Sequence, residues 1–219
     1  VPEGLAFPAI LKREEMRDVL VSRGNIKFEF LPKGAKIGTG SLRRGAQIKS
    51  FMPDVDIVPL RGNIDTRLKK IETENLTGVI LAAAGMKRLG YAGRISQFLP
   101  PEIMLPAVGQ GALGLQARQG DTALIELCAK LNDSVTAAEV GAERAYLRAL
   151  GGGCRLPIAA YGLIEKGRLS LEGFLAAPDG SDYVRDKVWG EPGEAEALGN
   201  ELAEIILEKG GRRLLELMC

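Results

Sequence analysis

The sequence predicts an α/β protein: a largely parallel sheet with helices on its faces, followed by a small α+β unit. Three observations carry this. From residue 36 to about 105, short apolar runs alternate with amphipathic stretches, as strands and helices do when they take turns around a sheet. A passage rich in proline and glycine then separates this part from the rest. Beyond Leu131 the texture changes to one long helical stretch, three strand-like runs and a final amphipathic helix. At 219 residues the chain is long enough for one large domain or two modest ones, each with its own core.

Residues 35–38, 55–59 and 78–82 read as strands. Between them, residues 41–52 and 63–74 have helical spacing, with Leu42, Ile48 and Phe51 facing a core from the first and Ile64, Leu68 and Ile71 from the second. This is a βαβαβ unit. After Leu99-Pro100-Pro101 and Leu105-Pro106, residues 108–116 read as a strand interrupted by glycines, suited to a crossing between domains or to close approach of a ligand. A helix is expected from about 137 to 150, opened by Thr136-Ala137-Ala138-Glu139 as a capping box and ended by Gly151-Gly152-Gly153. Strands at 158–164 and 169–175 form a hairpin through Glu165-Lys166-Gly167-Arg168, with a third strand at 183–189. The last helix, about 194–209, carries an apolar stripe of Ala195, Leu198, Leu202, Ile205 and Ile206 and is expected to stop at Gly210-Gly211.

Composition removes several classes of function. With 29 basic and 28 acidic residues there is no bulk positive field for nucleic acid, so anions must be held by local placement of arginines. No apolar run approaches the roughly 20 residues needed to cross a bilayer, and Val1-Pro2-Glu3-Gly4 has no signal-peptide character, so a soluble cytoplasmic protein with no membrane partner is expected. Histidine is absent, which removes the commonest general base and metal ligand. Cys128, Cys154 and Cys219 are too widely spaced for a zinc site or a disulfide framework, and no metal is expected.

Two loops have the makings of anion cradles. In Gly38-Thr39-Gly40-Ser41-Leu42-Arg43-Arg44 a strand hands over to a helix: glycines permit close approach, the hydroxyls of Thr39 and Ser41 can donate, and two arginines flank the free N–H groups of the helix start. Leu60-Arg61-Gly62-Asn63-Ile64-Asp65-Thr66-Arg67 repeats the layout after the next strand, with Arg61 and Arg67 beside the helix start. Both would open at the C-terminal edge of the sheet, where open α/β folds bind ligands. Any one of these arginines could be a solvated surface residue. Four in two matched loops would repel one another without a polyanion, so a substrate with several acidic groups is implied. No Gly-Lys-Ser/Thr ending is present, which favours a polycarboxylate over a nucleotide.

Cys154 lies in Gly151-Gly152-Gly153-Cys154-Arg155, an accessible loop where Arg155 would favour the thiolate, whereas Cys128 in an apolar helical stretch and Cys219 at the terminus read as inert. Together with Leu105-Pro106-Ala107-Val108-Gly109-Gln110-Gly111, these motifs resemble the porphobilinogen deaminase (hydroxymethylbilane synthase) family in order and spacing, over essentially the whole chain. The resemblance implies that Cys154 holds a dipyrromethane cofactor by a thioether. It implies that Arg43, Arg44, Arg61 and Arg67 bind the acetate and propionate groups of cofactor and growing pyrrole chain, and that Thr39, Ser41, Asn63 and Gln110 line the same cleft. The implied partner is porphobilinogen, four units of which are deaminated and joined head to tail.

By the same resemblance, residues 1–11 and 109–131 belong to an incomplete domain 1, residues 12–108 form domain 2, and residues 132–219 form the cofactor-attachment domain 3. The first two domains are similar to the periplasmic-binding-protein type II fold, with hinge closure between them, and a monomer is implied. The family's catalytic aspartate, in a Lys-Asp-Val-Pro segment, would lie upstream of Val1, so no catalytic residue is assigned in this chain; the missing N-terminal segment, as a separate chain, would be a further partner. Glu14-Glu15-Met16-Arg17-Asp18 resembles the family's Glu-Asp-Pro-Arg-Asp, with Asp18 read as structural. Gly40 stands where the family often has serine. Two rivals are a binding module that captures a polycarboxylate without chemistry, in which Cys154 would have no purpose, and a phosphate-ligand transferase, disfavoured by the missing Walker lysine and histidine.

Overall fold

The computed structural model describes residues 3–152 and 156–217. Strand β1 (Leu5–Ile10) leads into β2 (Asp18–Ser22), β3 (Lys36–Gly38), α1 (Leu42–Phe51), β4 (Asp56–Val58), α2 (Ile64–Thr73), β5 (Gly78–Ala82), α3 (Ala83–Arg88) and β6 (Gln97–Phe98). Five of these strands form one sheet in the order β4-β3-β5-β2-β6. β3 runs parallel to β4 and β5, whereas β2 is antiparallel to both β5 and β6, so the βαβαβ unit forms but the sheet is mixed rather than largely parallel. Neither β2 nor β6 was legible beforehand, since pairing rather than local pattern makes them strands.

Both faces of this sheet are covered. Val19, Val21, Val79 and Leu81 face Leu68 and Ile71 of α2 and Met86 of α3, while Leu20, Ile37 and Ile80 face Ile48 of α1 with Phe28, Leu31 and Leu99. A sheet covered on two faces has unbroken apolar strands, as Val19-Leu20-Val21 and Val79-Ile80-Leu81 are. Ile64, Leu68 and Ile71 point as expected, but Leu42 and Phe51 are exposed at 44% and 52%. The buried side of α1 is instead partly polar, with Arg43, Arg44 and Gln47 beside Ala46 and Ile48. An apolar count cannot see a helix that buries its guanidinium groups.

The expected strand at 108–116 begins only at Gly114: β7 (Gly114–Arg118) pairs antiparallel with β1, and the preceding residues are turns with Gly109 at φ 70° and Gly111 at φ 83°. A Cβ at Gly111 would lie 2.6 Å from the Glu14 carbonyl oxygen, so glycine there lets the two crossing segments touch. α4 (Thr122–Ala129) carries the half-buried Cys128.

α5 (Ser134–Ala149) starts earlier than the expected 137. Its cap is the Asp133 carboxylate, which accepts from the Thr136 N–H at 2.8 Å. The expected capping box does not form because Thr136 Oγ1 accepts from the Arg13 N–H and Glu139 from that of Ile164. Strands β8 (Ile158–Glu165), β9 (Arg168–Ala176) and β10 (Tyr183–Gly190) make an antiparallel sheet in the order β10-β9-β8, turning at Lys166-Gly167, both at positive φ. α6 (Ala195–Ile206) and α5 cover it through Tyr146, Leu198, Leu202 and Ile206. Gly210-Gly211 does not end the last helix: Gly210, at φ 116°, kinks it and α7 (Arg212–Glu216) continues. Ala46 and Leu105 pack with Ala159, Phe174 and Ala176, joining the two sheets' territories around α1.

Candidate functional site

Because β3 and β4 are parallel neighbours, α1 and α2 start at the same sheet edge. The two loops touch: the Thr39 N–H donates to Val58 O at 3.0 Å and the Leu60 N–H to Thr39 O at 3.3 Å. A Cβ at Gly40 would come within 2.5 Å of the Leu60 carbonyl oxygen, so a serine there would push the loops apart. Ser41 caps α1 by accepting from the Arg44 N–H, and Thr39 Oγ1 accepts from the Ser41 N–H. Asn63 caps α2 by accepting from the Thr66 N–H at 2.9 Å. Capping uses acceptor capacity only, so both hydroxyls and the Asn63 amide keep protons to donate.

Arg43 and Arg44 turn inward onto Asp18, the fully buried first residue of β2. Arg43 Nη1 donates to Asp18 Oδ2 at 2.7 Å and to Leu105 O at 2.6 Å; Arg44 donates to Asp18 Oδ1 through Nε at 3.0 Å and Nη2 at 2.7 Å. Burial opposes ionisation of Asp18, but the two guanidinium charges and their hydrogen bonds outweigh it and hold the carboxyl below its ordinary range. This corrects the inference that the four arginines demand an external polyanion, because Asp18 already balances one charge of the inner pair. A cationic excess persists: one carboxylate faces Arg43 and Arg44, and Arg67 feels burial and then the Arg44 charge, both lowering its pKa. Arg67 Nε donates to Gly62 O at 2.8 Å, while Arg61 is exposed at the loop tip.

Gln110 is the hub of the crossing segment. Its Nε2 donates to Met16 O at 2.6 Å and to Asp18 Oδ1 at 3.1 Å, and its Oε1 faces Arg43. Its backbone oxygen accepts from Arg13 Nε at 2.9 Å, which leads into a second buried cluster that the sequence did not disclose. Arg13 forks onto Glu143 at 2.7 and 3.2 Å, and Glu143 also accepts from the N–H groups of Gly109 at 2.6 Å and Gly162 at 2.9 Å. Glu139 stands 4.0 Å from the same guanidinium. Glu139 and Glu143 are one turn apart on α5, which in sequence reads only as a charged helix face; no local signal pairs them with Arg13.

Gly40, Ser41 and Arg43 form one wall of a cavity of about 340 Å³, closed by Ala107, Val108, Leu147, Leu156 and Ile158. Leu156 is two positions after Cys154 in sequence; Cys154 itself lies outside the described residues. The cavity is therefore cationic on one side, apolar on the other, and bordered by the segment that follows the cysteine. Among the described residues no group of acidic and cysteine side chains could hold a metal, and no helix is long and apolar enough to cross a membrane.

Residues 1–126 match the family described as "Porphobilinogen deaminase, dipyromethane cofactor binding domain", and residues 137–208 match "Porphobilinogen deaminase, C-terminal domain". The chain belongs to the porphobilinogen deaminase family. The porphobilinogen deaminase of Syntrophus aciditrophicus is 49% identical over 216 residues, covering 99% of this chain and 71% of that protein. Those of Pelobacter propionicus and Alkaliphilus metalliredigens are 48% and 49% identical over 215 residues, covering 98% of this chain and 69% and 68% of theirs. Both arginine loops fall within the cofactor-binding match. The residues present fit a dipyrromethane in chemical type: Arg43 and the Ser41 hydroxyl at the start of α1 are groups that would hold carboxylates, and Val108, Leu147 and Ile158 are apolar side chains that would suit pyrrole rings.

Proposed function

We propose that this chain binds dipyrromethane as a thioether on Cys154 and acts as a hydroxymethylbilane synthase, a transferase that joins four porphobilinogen units head to tail. The observation that carries this reading is Arg43, one of a buried arginine pair only half neutralised by Asp18, which lines a cavity bordered by Leu156. Arg43 and Arg44, with Arg61 and Arg67 on the neighbouring loop, bind the acetate and propionate groups of the cofactor and the growing chain. Thr39, Ser41, Asn63 and Gln110 add donors around them. Asp18 is a positioning residue: it fixes both guanidinium planes before any ligand arrives, so little ordering entropy is lost on binding. Val108, Leu147 and Ile158 keep water from the reacting rings, which strengthens each charge-assisted hydrogen bond. When bound, dipyrromethane supplies the nucleophilic pyrrole carbon at which the chain lengthens.

Loss of ammonia leaves a cation that needs a carboxylate close by. Asp18 does not serve, since its oxygens are taken up by Arg43, Arg44 and Gln110. We assign that role to the family's Lys-Asp-Val-Pro segment, which this sequence does not contain, and no residue between 1 and 219 is assigned as catalytic. Residues 1–11 with 109–131, residues 12–108 and residues 132–219 act as three units, the first two of periplasmic-binding-protein type II character, closing about the crossings near Leu11 and Gln110. A monomer working in the cytoplasm is the assembly we infer. Intact-protein mass spectrometry of the chain, assembled with a segment carrying Lys-Asp-Val-Pro and incubated with porphobilinogen, tests the reading: an adduct of two linked pyrrole units on the chain is expected, and absent after Cys154→Ser. An unmodified mass under both conditions would favour a binding module without chemistry.

A further inference from the structure

The walls of the Arg43 cavity come from two parts of the chain: Arg43 stands on α1, beside the first sheet, and Ile158 opens β8 of the second. A long-range bridge joins them. Arg185 leaves β10, on the same sheet as Ile158, and its Nη1 and Nη2 donate to Glu102 O at 2.8 Å and Pro101 O at 2.9 Å. Glu172 of β9 accepts from Arg185 Nε at 2.7 Å and so orients the planar fork. The turn that Arg185 grips leads straight to the cationic wall. The Ile103 and Met104 N–H groups close it on Pro100 O at 2.9 and 3.0 Å. The next residue, Leu105, accepts through its oxygen from Arg43 Nη1 at 2.6 Å and Gln47 Nε2 at 3.0 Å, and its N–H donates to Gln47 Oε1 at 2.8 Å. Elsewhere α1 rests on the second sheet through mostly small apolar groups: Ala46 and Leu105 pack with Ala159, Phe174 and Ala176, and a Cβ at Gly180 would lie 2.4 Å from Ala46 O. Apolar contact is non-directional and resists separation better than sliding, so the directional bonds at its edge set the register.

We propose that Arg185 is a positioning residue of the ligand cavity, a strut that acts through the turn at Pro100–Met104 and Leu105 to set where Arg43 stands relative to Ile158. Arg185 does not line the cavity itself. The porphobilinogen reading above supplies only the ligand; the strut stands on the geometry.

Two measurements on the unloaded chain test it. The first is calorimetry with free dipyrromethane, which lacks the aminomethyl leaving group and so stays uncoupled to Cys154. Arg185→Met, which keeps an apolar stem and removes the donors, should weaken binding roughly fivefold, and Arg43→Gln roughly tenfold or more. Combined, they should bind no worse than about twofold below Arg43→Gln alone, because what Arg185 positions is then missing. The second measurement needs no ligand: pulsed electron paramagnetic resonance between spin labels on non-natural ketone residues at the exposed positions of Phe51 and Glu165, which leaves the cysteines untouched. A narrow distance distribution is expected, broadened by Arg185→Met, partly restored in Arg185→Lys and unchanged by Arg148→Gln, which breaks only the exposed pair with Glu196. Circular dichroism checks that each variant keeps its fold. An equally narrow distribution in folded Arg185→Met would overturn the strut alone, as would fold-losses of the two substitutions that simply multiply. A distribution that broadens as expected while the unaltered chain binds no dipyrromethane would support the strut and overturn the porphobilinogen reading.

Discussion

The two buried ionic clusters are built from the same parts in opposite proportion. At Asp18 two guanidinium groups share one carboxylate; at Arg13 two carboxylates, Glu143 and Glu139, share one guanidinium. The consequence is visible in the acids. Asp18 is held ionised, with its pKa below the usual range, although burial opposes this. Burial pushes Glu139 and Glu143 upward, and the single Arg13 charge is not enough to offset it. Burial penalises any lone charge, so the count of opposite charges around it decides the sign. The excess also matches position: the cationic cluster fronts the ligand cavity, whereas the acidic one ties the crossing segments to α5 and the edge of β8, where Glu143 and Glu139 accept the N–H groups of Gly162 and Ile164. Gln110 touches both clusters.

Breaking the cationic cluster should cost most. Asp18→Asn leaves two buried guanidinium groups facing each other, a loss of about 3–5 kcal/mol by analogy with other broken buried pairs, read by urea denaturation. Glu143→Gln should cost less, about 1–3 kcal/mol, because Arg13 keeps Glu139 as a partner. A Glu143→Gln loss as large as that of Asp18→Asn would refute the charge-count argument.

The pH dependences should run in opposite directions. Asp18, with its lowered folded pKa, contributes stability that is present above its unfolded value of about 3.9 and lost as pH falls through the folded one. The gap between the unaltered chain and Asp18→Asn should therefore shrink in acid. Glu143, with its raised folded pKa, contributes stability present below about 4.3 and lost as pH rises through the folded value, so its gap to Glu143→Gln should shrink toward neutral pH. Two gaps closing in the same direction would count against the comparison. The smallest effects belong to the loop caps: Ser41→Ala and Asn63→Ala should each lower stability by about 1 kcal/mol in thermal melts, with no pH dependence of their own, since neither side chain is charged.

Periodicity and turn chemistry made much of this protein legible in one dimension. The helices α1, α2, α5 and α6, the strands β3, β4 and β5, and the β8–β9–β10 meander follow from spacing, caps and the Lys166-Gly167 turn, because each depends on neighbours a few residues away. The two loops with Arg43, Arg44, Arg61 and Arg67 were legible for the same reason: strand, glycine, polar cap and helix lie in one short run. Tertiary structure alone decided that Arg43 and Arg44 turn inward, that Asp18 meets them from 25 and 26 positions away, and that Arg13 reaches Glu143 across 130. It also decided that β2 inserts antiparallel beside β5, and that Thr136 and Glu139 serve Arg13 and Ile164 instead of their own helix start. Local pattern reports what a residue can do with its near neighbours, whereas a buried charge takes whatever partner the fold brings to it, since leaving it unpaired costs more than any local preference.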